Sequence, residues 1–196
     1  MIDIEQIFRD SLQASIALKQ RVLETQARPI ALAGELLVSA YRAGRKAIFM
    51  GNGGSAADAQ HLAAEMEGRF AFERRPLPAL ALHANASTLT AIGNDYGYEH
   101  VFSRLLSAHA QPGDVVLGLS TSGTSKNIVA AAALKEKLGV KLIAFTGQNA
   151  SALAPFADVV IAVPSTETPR IQECHITLGH ILCQFVERSL FRPDAD

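Results

Sequence analysis

Short, uninterrupted apolar runs alternate with longer segments of helical hydrophobic spacing along most of this 196-residue chain. A continuous run is typical of a strand buried on both faces of a sheet, whereas a half-exposed strand alternates apolar and polar residues. Five continuous runs occur, at residues 46–50, 79–82, 115–119, 141–145 and 159–163. Because helical segments separate them, they predict an α/β fold with a five-stranded parallel sheet covered by helices on both faces.

Helical spacing is most extended at the two ends of the chain. Two helices are predicted within residues 1–44, separated near Pro29, and a long C-terminal helix is predicted over 169–190. Between the strands, shorter helices are predicted from Ser55, from Ser87 with a break at 93–97, and over 125–138. Together these elements predict a three-layer, doubly wound sandwich with extra N-terminal helices, in one domain that spans residues 1–196.

Composition narrows the class of protein. The formal net charge of −1 gives no electrostatic reason to expect a nucleic-acid partner. We recognise no signal peptide and no apolar run long enough to span a bilayer, so we expect a cytoplasmic protein without a membrane partner. Cys174 and Cys183 are nine residues apart on one predicted helix, which is too far for a disulfide. They are predicted to be buried thiols in a reducing compartment.

A glycine-rich loop follows the first predicted strand at residues 51–55, with the sequence GNGGS. Glycines let the backbone approach a ligand closely, and the amides at the start of the next helix attract negative charge. The loop lacks the Gly-Lys-Ser/Thr ending of a nucleotide-binding P-loop and the spacing of a dinucleotide fingerprint. It therefore predicts either an anion site or a tight turn without a ligand.

A second polar loop, STSGTSKN at residues 120–127, follows the third predicted strand. Its five hydroxyl groups, with the amides at a helix start, could donate several hydrogen bonds to one phosphate. The alternative is a helix cap at Ser125 with spare polar neighbours. Five hydroxyls exceed what capping requires, so the composition favours phosphate. Ligands of such sheets bind beyond the carboxyl ends of the strands, where both loops lie.

Ionisable side chains recur on two predicted helices. His61 and Glu65 are four residues apart on one helix, so they share a face and could bind one metal ion, or they form an ordinary surface pair. The C-terminal helix contributes Gln172, His175 and His180. Because His175 and His180 are five residues apart, they point to different sides, and at most one shares a site with Gln172.

These motifs resemble the phosphoheptose isomerases, which have the sugar isomerase (SIS) fold. Four segments carry the resemblance: GNGGSAADAQHLAAE at 51–65, GNDYG at 93–97, STSGTSKN at 120–127 and RIQECHITLGH at 170–180. The resemblance covers nearly the whole chain and implies an enzyme that isomerises sedoheptulose 7-phosphate to D-glycero-D-manno-heptose 7-phosphate. That reaction begins the biosynthesis of heptose precursors, including those of lipopolysaccharide.

The resemblance also implies roles for residues. One zinc ion per subunit would be held by His61, Glu65, Gln172 and His180. Glu65 and His180 would transfer protons. Ten further positions match the substrate-binding residues of the family, in addition to Glu65 and Gln172: Asn52, Gly53, Gly54, Ser55, Asn94, Asp95, Ser120, Thr121, Ser122 and Ser125. The family implies a homotetramer with sites near subunit interfaces, in which the helices of residues 1–44 serve packing and oligomerisation.

Two questions stay open at this stage. Gln172 and His180 are eight residues apart, roughly 12 Å along a helix. They could lean towards one ion, the helix could begin after Gln172, or the two residues could serve sites in different subunits.

The alternative functions are a noncatalytic SIS protein that binds the bacterial replication initiator and another sugar-phosphate-binding SIS protein. The first of these groups lacks counterparts of Glu65 and His180, so both residues favour the enzyme.

Overall fold

The computed structural model describes residues 2–150 and 152–191 and contains a five-stranded parallel sheet. Its strands are β1 Ala47–Gly51, β2 Ala79–Ala81, β3 Val115–Ser120, β4 Lys141–Thr146 and β5 Val159–Ala162. All strand pairs are parallel, in the order β2-β1-β3-β4-β5. The five predicted strands and the α/β class are confirmed, because continuous apolar runs mark strands that are buried on both faces.

Helices cover both faces of the sheet. Their bounds are α1 Ile4–Thr25, α2 Ala27–Arg42, α3 Gly54–Glu67, α4 Ala86–Tyr96, α5 Val101–His109, α6 Lys126–Ala132, α7 Lys135–Leu138 and α8 Thr168–Phe191. Successive side chains of a strand point to opposite faces. In β1, Ala47 and Phe49 join the core beneath α1, α2, α3 and α8, whereas Ile48 and Met50 join the core beneath α5 and α6.

Three helix boundaries differ from the prediction. The first two helices separate at the buried Gln26, whose side-chain oxygen accepts a hydrogen bond from the Ala162 amide. The helix α4 continues through 93–96 and ends only at Gly97, where φ is +90°, a conformation that favours glycine. The single helix predicted over 125–138 is divided, because a tight turn at Leu134 separates α6 from α7.

The N-terminal helix α1 exposes an apolar face. Its Ile4, Phe8, Leu12 and Ile16 recur every four residues and are all about half exposed or more. Neither α1 nor any other helix within the described residues is long and apolar enough to cross a membrane. A contiguous exposed apolar face of this kind marks an interaction surface.

Candidate active site

The two polar loops lie side by side at the carboxyl edge of the sheet. The glycine loop, residues 51–55, follows β1, and the serine loop, residues 120–127, follows β3. The strands β1 and β3 are hydrogen-bonded neighbours, with Gly51 paired to Leu119. The connections from β1 and β3 leave in opposite directions across the sheet, because β2 lies on one side of β1 and β4 on the other side of β3. Such a switch point is where ligands bind in open parallel sheets.

The glycine loop turns directly into α3. Gly53 precedes this helix with φ +55°, and the amides of Ser55 and Ala56 are used within the turn. Gly54 lies against α8: a Cβ at this position would be 2.6 Å from Nε2 of Gln172. A side chain at position 54 would therefore displace the Gln172 amide from the start of α3. Gly53 and Gly54 are exposed, so their backbone is open to a ligand, whereas Ser55 is buried.

A hydrogen-bonded network joins the glycine loop to the serine loop. The side-chain amides of Asn52 and Asn127 pair reciprocally, with both N–O distances 2.9 Å. The Tyr98 hydroxyl donates to Oδ1 of Asn52 at 3.0 Å. Sequence reasoning selected Asn52 but missed Asn127 as an individual site residue and Tyr98 altogether. No local signal pairs Asn52 with Asn127, which lies 75 residues later, or with Tyr98, which lies 46 residues later.

The hydroxyl groups of the serine loop pair with one another. Oγ of Ser120 lies 2.9 Å from Oγ of Ser125, so Ser125 turns towards the loop and makes no side-chain cap on α6. Oγ of Ser122 accepts from the Thr124 hydroxyl at 3.1 Å and from the Thr124 amide at 3.2 Å. Thr121 is half buried and its carbonyl accepts from Gly147. These hydroxyl pairs can exchange partners for the oxygens of an anion.

A histidine–carboxylate cluster, consisting of His61, Glu65 and His180, lies between α3 and α8. Nε2 of His61 is 3.0 Å from Nε2 of His180 and 3.2 Å from Oε1 of Glu65. The Phe70 ring lies beside His180, with ring centroids 5.6 Å apart. The side chain of His61 is half exposed and that of Glu65 is a quarter exposed, so the cluster can be reached from outside. The helical spacing predicted the first pair, and the packing of α8 adds His180.

The donor atoms of this cluster fit a metal ion. One ligand atom from each residue lies within 4.8 Å of the others. Two imidazole nitrogens and one carboxylate oxygen form a donor set that is known for catalytic zinc. Ligand atoms about 2.0–2.1 Å from a tetrahedral zinc ion would lie roughly 3.3 Å apart, close to the two separations measured in the cluster. His61, Glu65 and His180 could therefore hold one ion between them.

The other polar residues of α8 occupy different surroundings. The helix begins at Thr168, so it contains both Gln172 and His180, and the idea that it begins after Gln172 is wrong. The helices α3 and α8 run in the same direction. Gln172, eight residues before His180, therefore contacts Gly54, seven residues before His61. His175 is fully buried on another side, where Nε2 contacts the Thr146 carbonyl at 3.1 Å. Burial lowers the pKa of His175 to about 4, so this imidazole stays neutral.

The remaining candidate residues lie on α4. Asn94 and Asp95 are exposed in its last turn, and the Asn94 amide donates to Asp95 at 2.8 Å. The adjoining turn carries Tyr98, which reaches the glycine loop. The predicted break at 93–97 is therefore mostly helical.

Two titratable groups that sequence reasoning did not select lie near the start of α3: Asp58, which is partly buried, and His83, which is buried. Burial raises the pKa of Asp58, while the nearby His61 lowers it. Burial also lowers the pKa of His83, whose Nε2 contacts the Ala56 carbonyl at 2.8 Å. Asp58 is one turn before His61 and faces the same side of the helix. A spacing rule could have found Asp58, but it would have selected many exposed carboxylates equally.

Known proteins with similar sequences and structures share this arrangement of elements. The SIS domain family matches residues 12–147 of the chain. The phosphoheptose isomerase of Rhodospirillum rubrum is 55% identical over 161 residues, which is 82% of this chain and 86% of that protein. The structure of phosphoheptose isomerase GmhA from Neisseria gonorrhoeae superposes with a TM-score of 0.89 at 39% identity, covering 94% of this chain and 99% of the other. A phosphoheptose isomerase from Francisella tularensis gives 0.91 at 34% identity, covering 96% and 100%.

Proposed function

Because the chain belongs to the phosphoheptose isomerases of the SIS-domain family, we propose that it converts sedoheptulose 7-phosphate to D-glycero-D-manno-heptose 7-phosphate. It is an aldose–ketose isomerase, and this reaction would begin the synthesis of heptose precursors, such as those of lipopolysaccharide, in the cytoplasm. The observation that carries the proposal is the histidine–carboxylate cluster on α3 and α8, which start at the sheet edge that bears the hydroxyl-rich serine loop.

The reaction moves a carbonyl group from C2 to C1 through an enediol or enediolate. A base removes a proton from C1 of the ketose, and a proton is returned at C2. The hydroxyl proton of O1 is removed, so that O1 becomes the aldehyde oxygen, and O2 is protonated. Glu65 is the proposed base at carbon, and His180 is the proposed proton carrier at the oxygens. Carboxylate and imidazole groups can exchange protons near neutral pH.

The phosphate would be bound by the loops at the sheet edge, which holds the reacting end in position. The proposed substrate-binding side chains and amides are those of Asn52, Gly53, Gly54, Ser55, Asn94, Asp95, Ser120, Thr121, Ser122, Ser125 and Gln172, with Glu65 at the reacting carbons. The hydroxyl pairs of the serine loop support this role, since each can turn a proton outward to a phosphate oxygen. The exposed backbone of Gly53 and Gly54 supports a close approach.

We propose zinc as the resident metal, one ion per subunit. His61, Glu65 and His180 would hold it, and Gln172 of the same or another subunit would be the fourth ligand. When bound, zinc polarises the carbonyl and stabilises negative charge on the substrate oxygens. A carboxylate held by a metal is a weaker base, so Glu65 would change partners during turnover.

The proposed reaction is tested by incubating the purified protein with sedoheptulose 7-phosphate in D₂O and following the mixture by proton NMR. We expect an aldose anomeric signal to appear, with deuterium incorporated at C2, because the enediol exchanges protons with solvent. Fructose 6-phosphate is the matched control, since it is a shorter ketose phosphate. No product and no exchange from sedoheptulose 7-phosphate would contradict the proposal and favour a noncatalytic or differently specific SIS protein.

We further propose that residues 1–196 form a single SIS domain that assembles as a homotetramer, with the helices of residues 1–44 in the interfaces. The exposed apolar face of α1 supports this assembly, because such a face is costly in water. Light scattering is expected to give about four times the chain mass of 20.9 kDa. Phe8→Glu should reduce that mass, whereas Glu5→Gln, on the same helix but polar, should not. A monomeric parent protein would contradict the assembly.

A further inference from the structure

Arg74, in the segment that follows α3, and Glu187, on α8, form a buried ion pair. Nε of Arg74 is 3.2 Å from Oε1 of Glu187, and the two side chains are only 2% and 1% exposed. The carboxylate also accepts hydrogen bonds from the amides of Phe70 and Ala71, at 2.9 and 2.8 Å. The pair therefore fixes the segment that follows α3 to a single position on α8.

The guanidinium group of Arg74 caps the C-terminal end of α3, the helix that carries His61 and Glu65. Nη2 donates to the carbonyl of Glu65 at 2.8 Å, and Nη1 donates to those of Met66 and Gly68 at 2.8 and 2.9 Å. The last carbonyls of a helix lack partners within it, and a cation there also interacts favourably with the helix dipole. The backbone of Glu65 is thus bonded directly to Arg74.

Glu187 connects the ion pair to the other helix, α8. It follows His180 by seven residues on α8, which is two turns, so both side chains leave the same face. The segment that Glu187 holds also carries Phe70, whose ring lies beside His180. Arg74 is thus hydrogen-bonded to α3, which carries His61 and Glu65. Glu187 belongs to α8, which carries His180.

The ion pair by itself is weak evidence for stability, because removing two charges from water costs about as much as their attraction returns. An apolar pair could not, however, bond the backbone carbonyls and amides that Arg74 and Glu187 contact. Hydrogen bonds are directional, so those of Arg74 and Glu187 define the offset of α3 against α8. The cluster needs that offset, because its atoms come from both helices and are 3.0–3.2 Å apart.

We propose that Arg74 and Glu187 are positioning residues that set the distance of Glu65 and His61 from His180, an inference that rests on the proposed function of the cluster. Neither residue touches the reacting atoms. Weakening the pair lets α3 slide on α8, which separates the proton-transferring groups and the metal ligands. The serine loop lies between β3 and α6, outside both α3 and α8, so binding of the phosphate is affected less than turnover.

The test compares Glu187→Gln with the wild-type protein and with Asp114→Asn. Asp114 is a matched control, because it is also buried, pairs with Lys46 and accepts amide hydrogen bonds from Lys46 and Gln111, but it precedes β3 at the opposite edge of the sheet. For Glu187→Gln we expect kcat to fall about 10- to 100-fold, since small misplacements of reacting groups have effects of that size. We expect KM to change by less than about threefold, and zinc affinity to fall about 10-fold. Asp114→Asn should lower Tm without changing kcat or zinc affinity.

A second variant keeps the proposal testable if Glu187→Gln does not fold. Arg74→Lys keeps the charge but cannot form the fork to three carbonyls, so kcat should fall there as well. Wild-type kcat and zinc affinity in the folded variants, with Tm lowered as in Asp114→Asn, would overturn the proposal. An inactive wild-type protein would instead contradict the proposed function, and the NMR signals of the His61 and His180 rings would then report the positioning.

Discussion

Replacing Glu65 by Gln is expected to lower kcat for isomerisation by about 10³-fold or more, within the range that general acid–base catalysis contributes. The amide preserves the size of the side chain but cannot remove a proton from carbon. Because Glu65 lies 3.2 Å from Nε2 of His61, the change also removes one anionic donor from the candidate metal site. The measurement is initial rate at saturating sedoheptulose 7-phosphate, with the zinc content of each preparation determined in parallel.

Glu67→Gln is the matched control, because Glu67 is an exposed carboxylate two residues further along the same helix. Its kcat should equal that of the parent protein. If Glu65→Gln retains zinc but not turnover, the proton-transfer role is supported. If zinc is lost as well, adding excess zinc shows whether metal binding accounts for the whole effect. Unchanged kcat in Glu65→Gln would contradict the role assigned to this residue.

Removal of the metal is the second change with a large expected effect. Dialysis against a strong chelator should reduce the rate to a few per cent of its starting value or less, because a metal that stabilises charge on substrate oxygens contributes several kcal/mol to the transition state. Adding one equivalent of zinc per subunit should restore it. The measurement combines the rate with elemental analysis of the same samples.

A comparison of His61→Gln with His100→Gln distinguishes the loss of a zinc ligand from general effects of replacing a histidine. His61 belongs to the cluster, and its loss should weaken zinc binding by about 100-fold or more, since even outer-shell changes often cost 10- to 100-fold. His100 is exposed on the turn after α4, so its variant should bind zinc as the parent does. An enzyme that stays fully active after thorough metal removal would contradict the zinc proposal.

Much of the fold was predictable because its signals are local. The run Lys46–Met50 predicts a strand within one residue of β1, and the helical spacing after Pro169 predicts α8. The errors fall where tertiary contacts override spacing. Gln26 ends α1 because its side chain bonds to β5, and α4 passes through 93–96 until Gly97 allows the turn. Neither effect has a local signal strong enough to set the boundary.

The candidate site was predictable only in parts. His61 and Glu65 are one helical turn apart, so their proximity follows from helix geometry, but the same spacing also fits a surface pair. The resemblance to phosphoheptose isomerases added His180 and Gln172. It did not identify Tyr98, Asn127, Arg74 or Glu187, whose roles depend on contacts with distant segments. Their side chains are ordinary for their local positions, so nothing in the neighbouring residues distinguishes them.

The amino-acid pattern establishes which segments are strands and helices and which loops can bind an anion, since these properties depend on neighbouring residues. Tertiary packing is needed to place β3 beside β1, which brings the serine loop to the glycine loop, and to align α8 with α3. That alignment brings His180 within 3.0 Å of His61 across 119 residues of sequence. Strand order and helix offset arise from the burial of whole apolar faces and from buried hydrogen bonds between remote segments, and no local spacing encodes either one.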